Sequence, residues 1–416
     1  MSHKKFFFLI VLFTVLYVYM TNIDKIPEKI VLFQNEEYEI NHLKGINIKG
    51  NTVSIADKVW SKLAKVESDT TGKSKLHLSA LGGFFKKDIE VSVLPTTKVI
   101  LGGDTVGIRL YSKGVLVIGE SPVQGIDGNY YEPYKTTNIQ KGDKILQING
   151  KDTETILELT EAVSNISGDQ KAVVLYEQDG KVYEEEIIPV TSFDDGRSKL
   201  GLWVRDGAMG VGTLTFYDTT SGKICALGHG ISDSDLKELI DVDEGFLNLA
   251  TVVSITKGYK GSPGEIKGLL DDSVKIGEIE LNNECGIYGE YDVESNFFRE
   301  REEVLLASRN EIEIGPATIY CTVEADGIPK EYDIEIIKIS NLTGSKSKGM
   351  IIEVTDEELL EKTGGIIQGM SGSPIMQNGK FIGAVTHVYV NDPTRGYAIF
   401  GETMLEQINS LNGKEV

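Results

Sequence analysis

Forty-five of the 416 residues are glycine and only ten are proline, and the glycines punctuate short runs of alternating apolar and polar residues. That spacing suits many tight turns between short strands and predicts a mostly β chain. With 40% hydrophobic residues the chain can bury several cores, and about 100–200 residues per domain predicts two to four domains. A charged fraction of 25% is ordinary for a globular protein and argues against disorder as the general state. The 42 basic residues face 63 acidic ones, a net charge of −21, and no basic run extends beyond Lys4-Lys5. Such a chain has no broad attraction for phosphate backbones, so nucleic-acid binding is excluded as a main function. Cys225, Cys285 and Cys321 have no C-x-x-C spacing. No structural metal and no cofactor is expected, and at most one internal disulfide.

The N-terminus bears on the compartment. Lys4 and Lys5 precede an apolar stretch over residues 6–20, a positive segment followed by a hydrophobic core, as in export signals. At about 1.5 Å per residue the stretch is short of a full hydrocarbon core of about 30 Å unless flanking residues snorkel. No small-x-small cleavage pattern follows, so residues 1–22 are either a removed signal peptide or a retained membrane anchor. In both cases the charge placement sends the remainder across the membrane.

Beyond it, residues 27–95 alternate at 29–33 and 88–94 and predict a small β domain that carries no chemical constellation. Residues 96–190 contain Gly107-Ile108-Arg109-Leu110, then Ser121-Pro122-Val123, then Lys141-Gly142-Asp143-Lys144-Ile145-Leu146-Gln147-Ile148-Asn149-Gly150. Gly142-Asp143 and Asn149-Gly150 are turn pairs bracketing a short strand. A helix is expected at 155–163, with closing strands at 171–176 and 182–188. This ordered set resembles a PDZ domain of bacterial proteases. The resemblance implies a peptide added as a strand beside the helix, its carboxylate held by loop N–H groups at Gly107, Ile108, Arg109 and Leu110.

The chemistry falls in residues 191–416. In Gln368-Gly369-Met370-Ser371-Gly372-Ser373-Pro374, two glycines permit a tight turn that projects a serine hydroxyl and aims backbone N–H groups at one point. An Asn378-Gly379 turn and a second strand follow. The segment resembles the nucleophile loop of chymotrypsin-like peptidases, which makes Ser371 rather than Ser373 the attacker, with the Gly369 and Ser371 N–H groups as oxyanion hole. It fails the G-x-S-x-G elbow, because Ser373 stands at the last glycine and a strand follows. Of five histidines, His3, His42 and His77 lie outside this region. His229, between Gly228 and Gly230 at the end of an apolar strand, is the candidate base, and His387 lies on the strand after the serine.

Three motifs, Ala226-Leu227-Gly228-His229-Gly230-Ile231-Ser232-Asp233, Thr363-Gly364-Gly365-Ile366-Ile367-Gln368-Gly369-Met370-Ser371-Gly372-Ser373-Pro374 and Gly383-Ala384-Val385-Thr386-His387-Val388, resemble the SpoIVB peptidase family, and the signal–PDZ–peptidase order agrees. The resemblance implies a two-barrel, chymotrypsin-like serine endopeptidase exported into the space between forespore and mother-cell membranes. It implies cleavage of its own chain and of a membrane protein complex that restrains an intramembrane metalloprotease, so that a sigma factor is matured. It also implies Asp356 as the third catalytic residue. The residues themselves leave alternatives open. Thr355 followed by Glu358 reads as a capping box with Asp356 in a helix's first turn, and Asp233, Asp292 and Asp333 rival it for orienting His229. The acidic run from Asp233 to Glu244 lacks calcium-loop spacing and reads as a solvated face. Two other functions remain in view: a membrane-tethered PDZ adaptor with a non-catalytic peptidase-like domain, and a general stress protease.

Overall fold

The structure, a computed structural model, describes residues 3–42, 46–50, 54–56, 63–166, 168, 170–233, 235–340 and 346–413. Met1 and Ser2 of the expected export segment lie outside them. Mostly β is what forms. Six strands close a ring through consecutive pairings: Thr105–Glu120, Glu244–Thr256, Glu265–Asn283, Gly286–Tyr291, Lys223–Ala226 and Leu202–Asp218, the last pairing back onto the first. A second closed barrel runs Gly315–Cys321, Lys330–Ile339, Met350–Val354, Asp392–Phe400, Lys380–Tyr389, Pro374–Gln377. The two-barrel architecture expected of residues 191–416 is present, but the first barrel takes one of its strands from upstream of that range.

Alternation explains both closures. In Gly315–Cys321, and in Lys330–Ile339 from Tyr332 to Ile336, every second residue is buried, so one face of each strand must meet a core and the sheet curls around it. Ile319, Ile336, Ile352, Ile375, Val385 and Ala398 fill the second barrel, and Val106, Ile108, Leu110, Leu214, Leu247 and Ile276 fill the first. Between the barrels lies a third core, where Phe216 of the first meets Phe381 of the second edge-on, ring centroids 5.2 Å apart. Cys225 and Cys285 are buried in this core, and all three cysteines are free thiols.

The expected unit at 96–190 is drawn differently by strand pairing. Residues 106–110 pair on both sides within the first barrel. A helix-bearing module grows from the far ends of the same two long strands, Thr105–Glu120 and Leu202–Asp218, which remain paired out to Glu120 and Leu202. Its strands Lys144–Ile148, Ala172–Gln178 and Lys181–Ile187 and its helix Ile156–Ser164 fall close to their expected places. Thr155 and Glu158 cap that helix reciprocally. Leu200, beyond the expected boundary, belongs to the module's core with Val115, Val117, Ile145, Leu159 and Val174. The module is thus an insertion in a barrel hairpin, and its boundary follows from strands too long for one core.

Ahead of both barrels, a four-stranded sheet with Lys29–Phe33 parallel to Phe85–Leu94 faces a small three-stranded sheet over a core of Ile30, Leu32, Ile46, Val66, Leu76 and Val91. The helix His3–Asp24 stands on this unit, with Phe7, Phe8, Phe13 and Tyr17 exposed. Among the described residues no helix is long and apolar enough to cross a membrane.

The terminal helix Gly401–Leu411 seats on the seam through a fully buried carboxylate. Glu402 accepts from both the Nε and the backbone N of Arg309, in the short turn Arg309–Glu311 ahead of the second barrel. Burial pushes the Glu402 carboxyl up, opposed by the Arg309 charge. Removing the cation strands the carboxylate in an apolar surround, which costs about 3–5 kcal/mol. Arg309→Ala should lower the urea midpoint accordingly, and Glu402→Gln should lower it less; an unchanged midpoint in Arg309→Ala would contradict the assignment.

Candidate active site

The strand Lys223–Ala226 ends where Leu227 and Gly228 both adopt left-handed backbone, φ +70° and +68°. Leucine rarely tolerates that region, and strain of about 1–3 kcal/mol at one residue persists only where surroundings enforce it. Here Gly212 makes room for it, since a Cβ at 212 would lie 1.9 Å from Leu227 Cδ2. The turn carries His229 out of the barrel. Its Nδ1 lies 3.0 Å from Gly230 O. A carbonyl only accepts, so Nδ1 bears the proton and Nε2 keeps the lone pair a general base needs.

Ser371 sits in a turn from the other barrel. Met370 N donates to Ile367 O, Ser373 N to Met370 O and Gly372 N to Val385 O. At Gly372, with φ +96°, an added Cβ would lie 2.1 Å from Thr213 O, so only glycine fits. Ser373 is fully buried and donates its hydroxyl to Met370 O at 2.6 Å, a structural use that leaves Ser371 as the available serine. Among the described residues neither the Gly369 nor the Ser371 N–H meets an acceptor. Free, neighbouring amides beside a hydroxyl are what an oxyanion site requires.

The turns that carry Ser371 and His229 meet at the seam. Ser371 Oγ lies 2.6 Å from Leu227 O, two residues before the histidine, and 2.9 Å from Thr386 O, next to His387. The His229 and His387 rings pack with centroids 4.7 Å apart and planes at 34°. The hydroxyl therefore faces carbonyls and not an imidazole. With a single proton, the hydroxyl donates to one of these carbonyls at a time or shares it between them. His387 Nδ1 is buried without a hydrogen-bond partner among the described residues.

The expected acid is not brought to this place. Asp356 is itself the N-cap of helix Glu357–Thr363, one position past the expected Thr355, and accepts from Leu359 N at 2.8 Å and Asp333 N at 3.3 Å. The rivals fare no better. Asp292 caps a short helix, Asp333 is exposed on a barrel strand, and Asp233 is 3% exposed and ion-paired to Arg205 at 2.7 Å. Among the described residues the only hydrogen-bond partner of the His229 ring is Gly230 O.

Two further expectations change. Gly107, Ile108, Arg109 and Leu110 lie mid-strand, between partners at 208–211 on one side and 245–248 on the other, so their N–H groups are not free to hold a carboxylate. The module's cleft, about 480 Å³, lies instead between helix Ile156–Ser164 and residues 200–204, lined by Val123, Leu159, Val163, Leu200 and Leu202. Leu200-Gly201-Leu202, a glycine between apolar residues before a strand, is the signal that marks it. The acidic run is not simply a solvated face either: Arg205 pairs with Asp233 and Asp235, and Lys144 with Asp241. These pairs tie the module to the segment after His229, because a carboxylate as buried as Asp233 requires a cation. No group of metal-binding side chains occurs among the described residues.

The family model for SpoIVB peptidase S55 matches residues 196–405. Comparison with curated protein sequences gave no significant match. Among solved structures, similarity extends to an HtrA-type protease AlgW with decapeptide, at 12% identity over 51% of this chain and 55% of that one, TM-score 0.31. It extends also to Deg5, at 16% identity over 47% and 80%, TM-score 0.28, and to the Rv3671c protease of M. tuberculosis in an inactive form, at 13% identity over 48% and 83%, TM-score 0.26. The double-barrel assignment stands on strand pairing alone.

Burial lowers the His229 pKa, with the Gly230 carbonyl opposing it. His387 is pushed down to about 4, first by burial and then by the charges of His229 and Lys348. A base must be neutral to act, so a depressed pKa keeps it competent in mildly acidic solution. The acidic limb of kcat/KM should fall below the ordinary histidine value of about 6.5; a limb at or above that value would show that His229 is not the titrating base.

Proposed function

As this chain belongs to the SpoIVB peptidase S55 family, we propose that it hydrolyses peptide bonds by attack of Ser371 Oγ, with His229 as general base. His229 Nε2 takes the hydroxyl proton as the oxygen adds to the carbonyl, and returns it to the leaving amine. Water then enters by the same route and releases the acyl group. The Gly369 and Ser371 N–H groups stabilise the oxyanion in both steps. The observation that carries this reading is the meeting of Ser371 Oγ with Leu227 O at the seam, which brings the serine turn to the histidine turn. With Asp356 engaged as a cap, the Gly230 carbonyl stands where a triad acid would orient the imidazole.

The substrates in this reading are its own chain and a membrane protein complex of sporulation signalling, acted on outside the cytoplasmic face. The N-terminal positive-then-apolar segment, with exposed Phe7, Phe8 and Phe13, supports export and a hold on the membrane. The cleft beside helix Ile156–Ser164 supports a PDZ-type role, taking a protein tail as an added strand along residues 202–204. Residues 199–204, not 107–110, would receive the tail's carboxylate.

Ser371→Ala and His229→Ala should each abolish self-trimming and partner cleavage while leaving the circular dichroism spectrum unchanged. N-terminal sequencing of the mature chain with and without Ser371 reads activity and the position of self-cleavage together. Identical processing in wild type and both variants would leave only a docking role.

A further inference from the structure

Every peptide plane of the nucleophile turn is held by its carbonyl oxygen. Gln368 O accepts from Ile266 N at 2.8 Å, and Gly369 O from Thr213 Oγ1 at 2.7 Å. Met370 O accepts from Ser373 N and Oγ, and Ser371 O from Thr213 N at 2.8 Å. Gly372 O accepts from Thr215 Oγ1 at 2.8 Å, and Ser373 O from Val385 N at 3.0 Å. In a trans peptide the N–H points opposite to the C=O, so anchoring a carbonyl aims the amide on the far side of its plane. The planes that present the Gly369 and Ser371 N–H groups are those of Gln368 O and Met370 O. The plane between them, carrying Gly369 O and Met370 N–H, is the hinge on which the two amides converge or diverge; its N–H donates to Ile367 O at 3.1 Å, and its carbonyl is anchored by the hydroxyl of Thr213.

Thr213 and Thr215 are 1% and 0% exposed and belong to the first barrel, on strand Leu202–Asp218. Two residues apart, they share one face of that strand, while Leu214 and Phe216 turn into the first-barrel and inter-barrel cores. Thr213 O also accepts from Leu227 N at 3.3 Å, and Leu227 O accepts from Ser371 Oγ. One residue thus touches the hinge plane, the serine's own carbonyl and the turn that delivers His229. A buried β-strand threonine needs no hydroxyl for packing, and valine fills the same volume. Both hydroxyls are instead spent on carbonyls of the two glycines that frame Ser371.

We propose that Thr213 is the positioning residue of the oxyanion site, fixing the Gly369–Met370 peptide plane so that the Gly369 and Ser371 amides point to one spot, with Thr215 holding the exit of the same turn. This rests on Ser371 being the nucleophile. Since the substrate bond is unidentified, the test uses a fluorescent alkyl fluorophosphonate on the full-length protein. The probe reports serine reactivity through a phosphonyl oxyanion: the serine oxygen bonds to phosphorus as fluoride leaves, and the hydroxyl proton passes to the base.

Wild type should label and Ser371→Ala should not; failure of wild type to label overturns the nucleophile assignment itself. With wild type labelling, Thr213→Val should lower the maximal rate of labelling about 100-fold, the scale of losing an oxyanion donor, at little change in the probe's half-saturating concentration. Thr213→Ser, which keeps the hydroxyl, should stay within about threefold of wild type. Thr215→Val should lose about tenfold. Labelling by a folded Thr213→Val at the wild-type rate overturns the proposal. So does failure of the serine variant to rescue, which would assign the loss to packing. If Thr213→Val does not fold, Thr215→Val decides alone, and an unchanged rate there overturns it.

Discussion

One strand bears the constraint on which the rest of this structure depends. Leu202–Asp218 pairs with Thr105–Glu120 from Leu202 to Thr213 and with Lys223–Ala226 from Leu214 to Asp218. Its period of two sets which residues face which body. Leu214 and Phe216 are committed to two hydrophobic cores, so Thr213 and Thr215 must face the serine turn. A slip of one residue would bury two hydroxyls among apolar side chains and present leucine and phenylalanine to the glycine carbonyls. Burying an unpaired hydroxyl or carbonyl costs on the order of 1–3 kcal/mol each, so core and site enforce the same register. The seam is not a cleft between two prebuilt barrels. The serine turn of one barrel is completed by strands of the other.

Seen this way, the geometry at His229 follows from backbone and not from a carboxylate. Strain at Leu227 turns the chain, Gly212 leaves room for its side chain, and Gly230 O fixes the tautomer of the imidazole. His387 covers one face of that ring and adds to the burial that keeps it neutral. In the proposed reaction, an imidazole oriented by a carbonyl stabilises developing imidazolium less than one backed by an ionised acid.

What the sequence disclosed depended on how local each cause was. The turns that carry Ser371 and His229 were readable because each lies between glycines that only a turn requires, and the helix near 156–164 was expected almost in place, its capping box being local to four residues. Asp356 read as part of a helix start, and its carboxylate went to the cap because three residues suffice to form one. Barrel closure was not readable from spacing, since it depends on pairings such as Leu110 with Ala208 and Gly245, decided by registers between distant segments. Gly107-Ile108-Arg109-Leu110 has the composition of a carboxylate loop and also of a strand, and only the two flanking strands distinguish them. Thr213 gave no signal at all, because a threonine inside an apolar strand is an ordinary β residue until its hydroxyl is given a partner.

The same strand also joins the module to the chemistry. Its first residues, 202–204, line the cleft, and Arg205 follows at once, paired to Asp233 and Asp235 on the segment that leaves His229. Asp233 is 3% exposed and further accepts from the N–H groups of Asp235 and Leu236. The Leu236 and Asp235 N–H groups and then Arg205 oppose the burial of that carboxylate, and withdrawal of the guanidinium would leave the charge with no cation in a desolvated place. The module therefore does not swing freely on its hairpin. Any displacement that carries residues 202–205 away must either bring the histidine segment along or expose Asp233 to water. Either course alters the end of the first barrel from which His229 projects. A position in the cleft and a position at the seam are in this sense two ends of one β-strand, with a half-buried ion pair at the point between them where slack would otherwise enter.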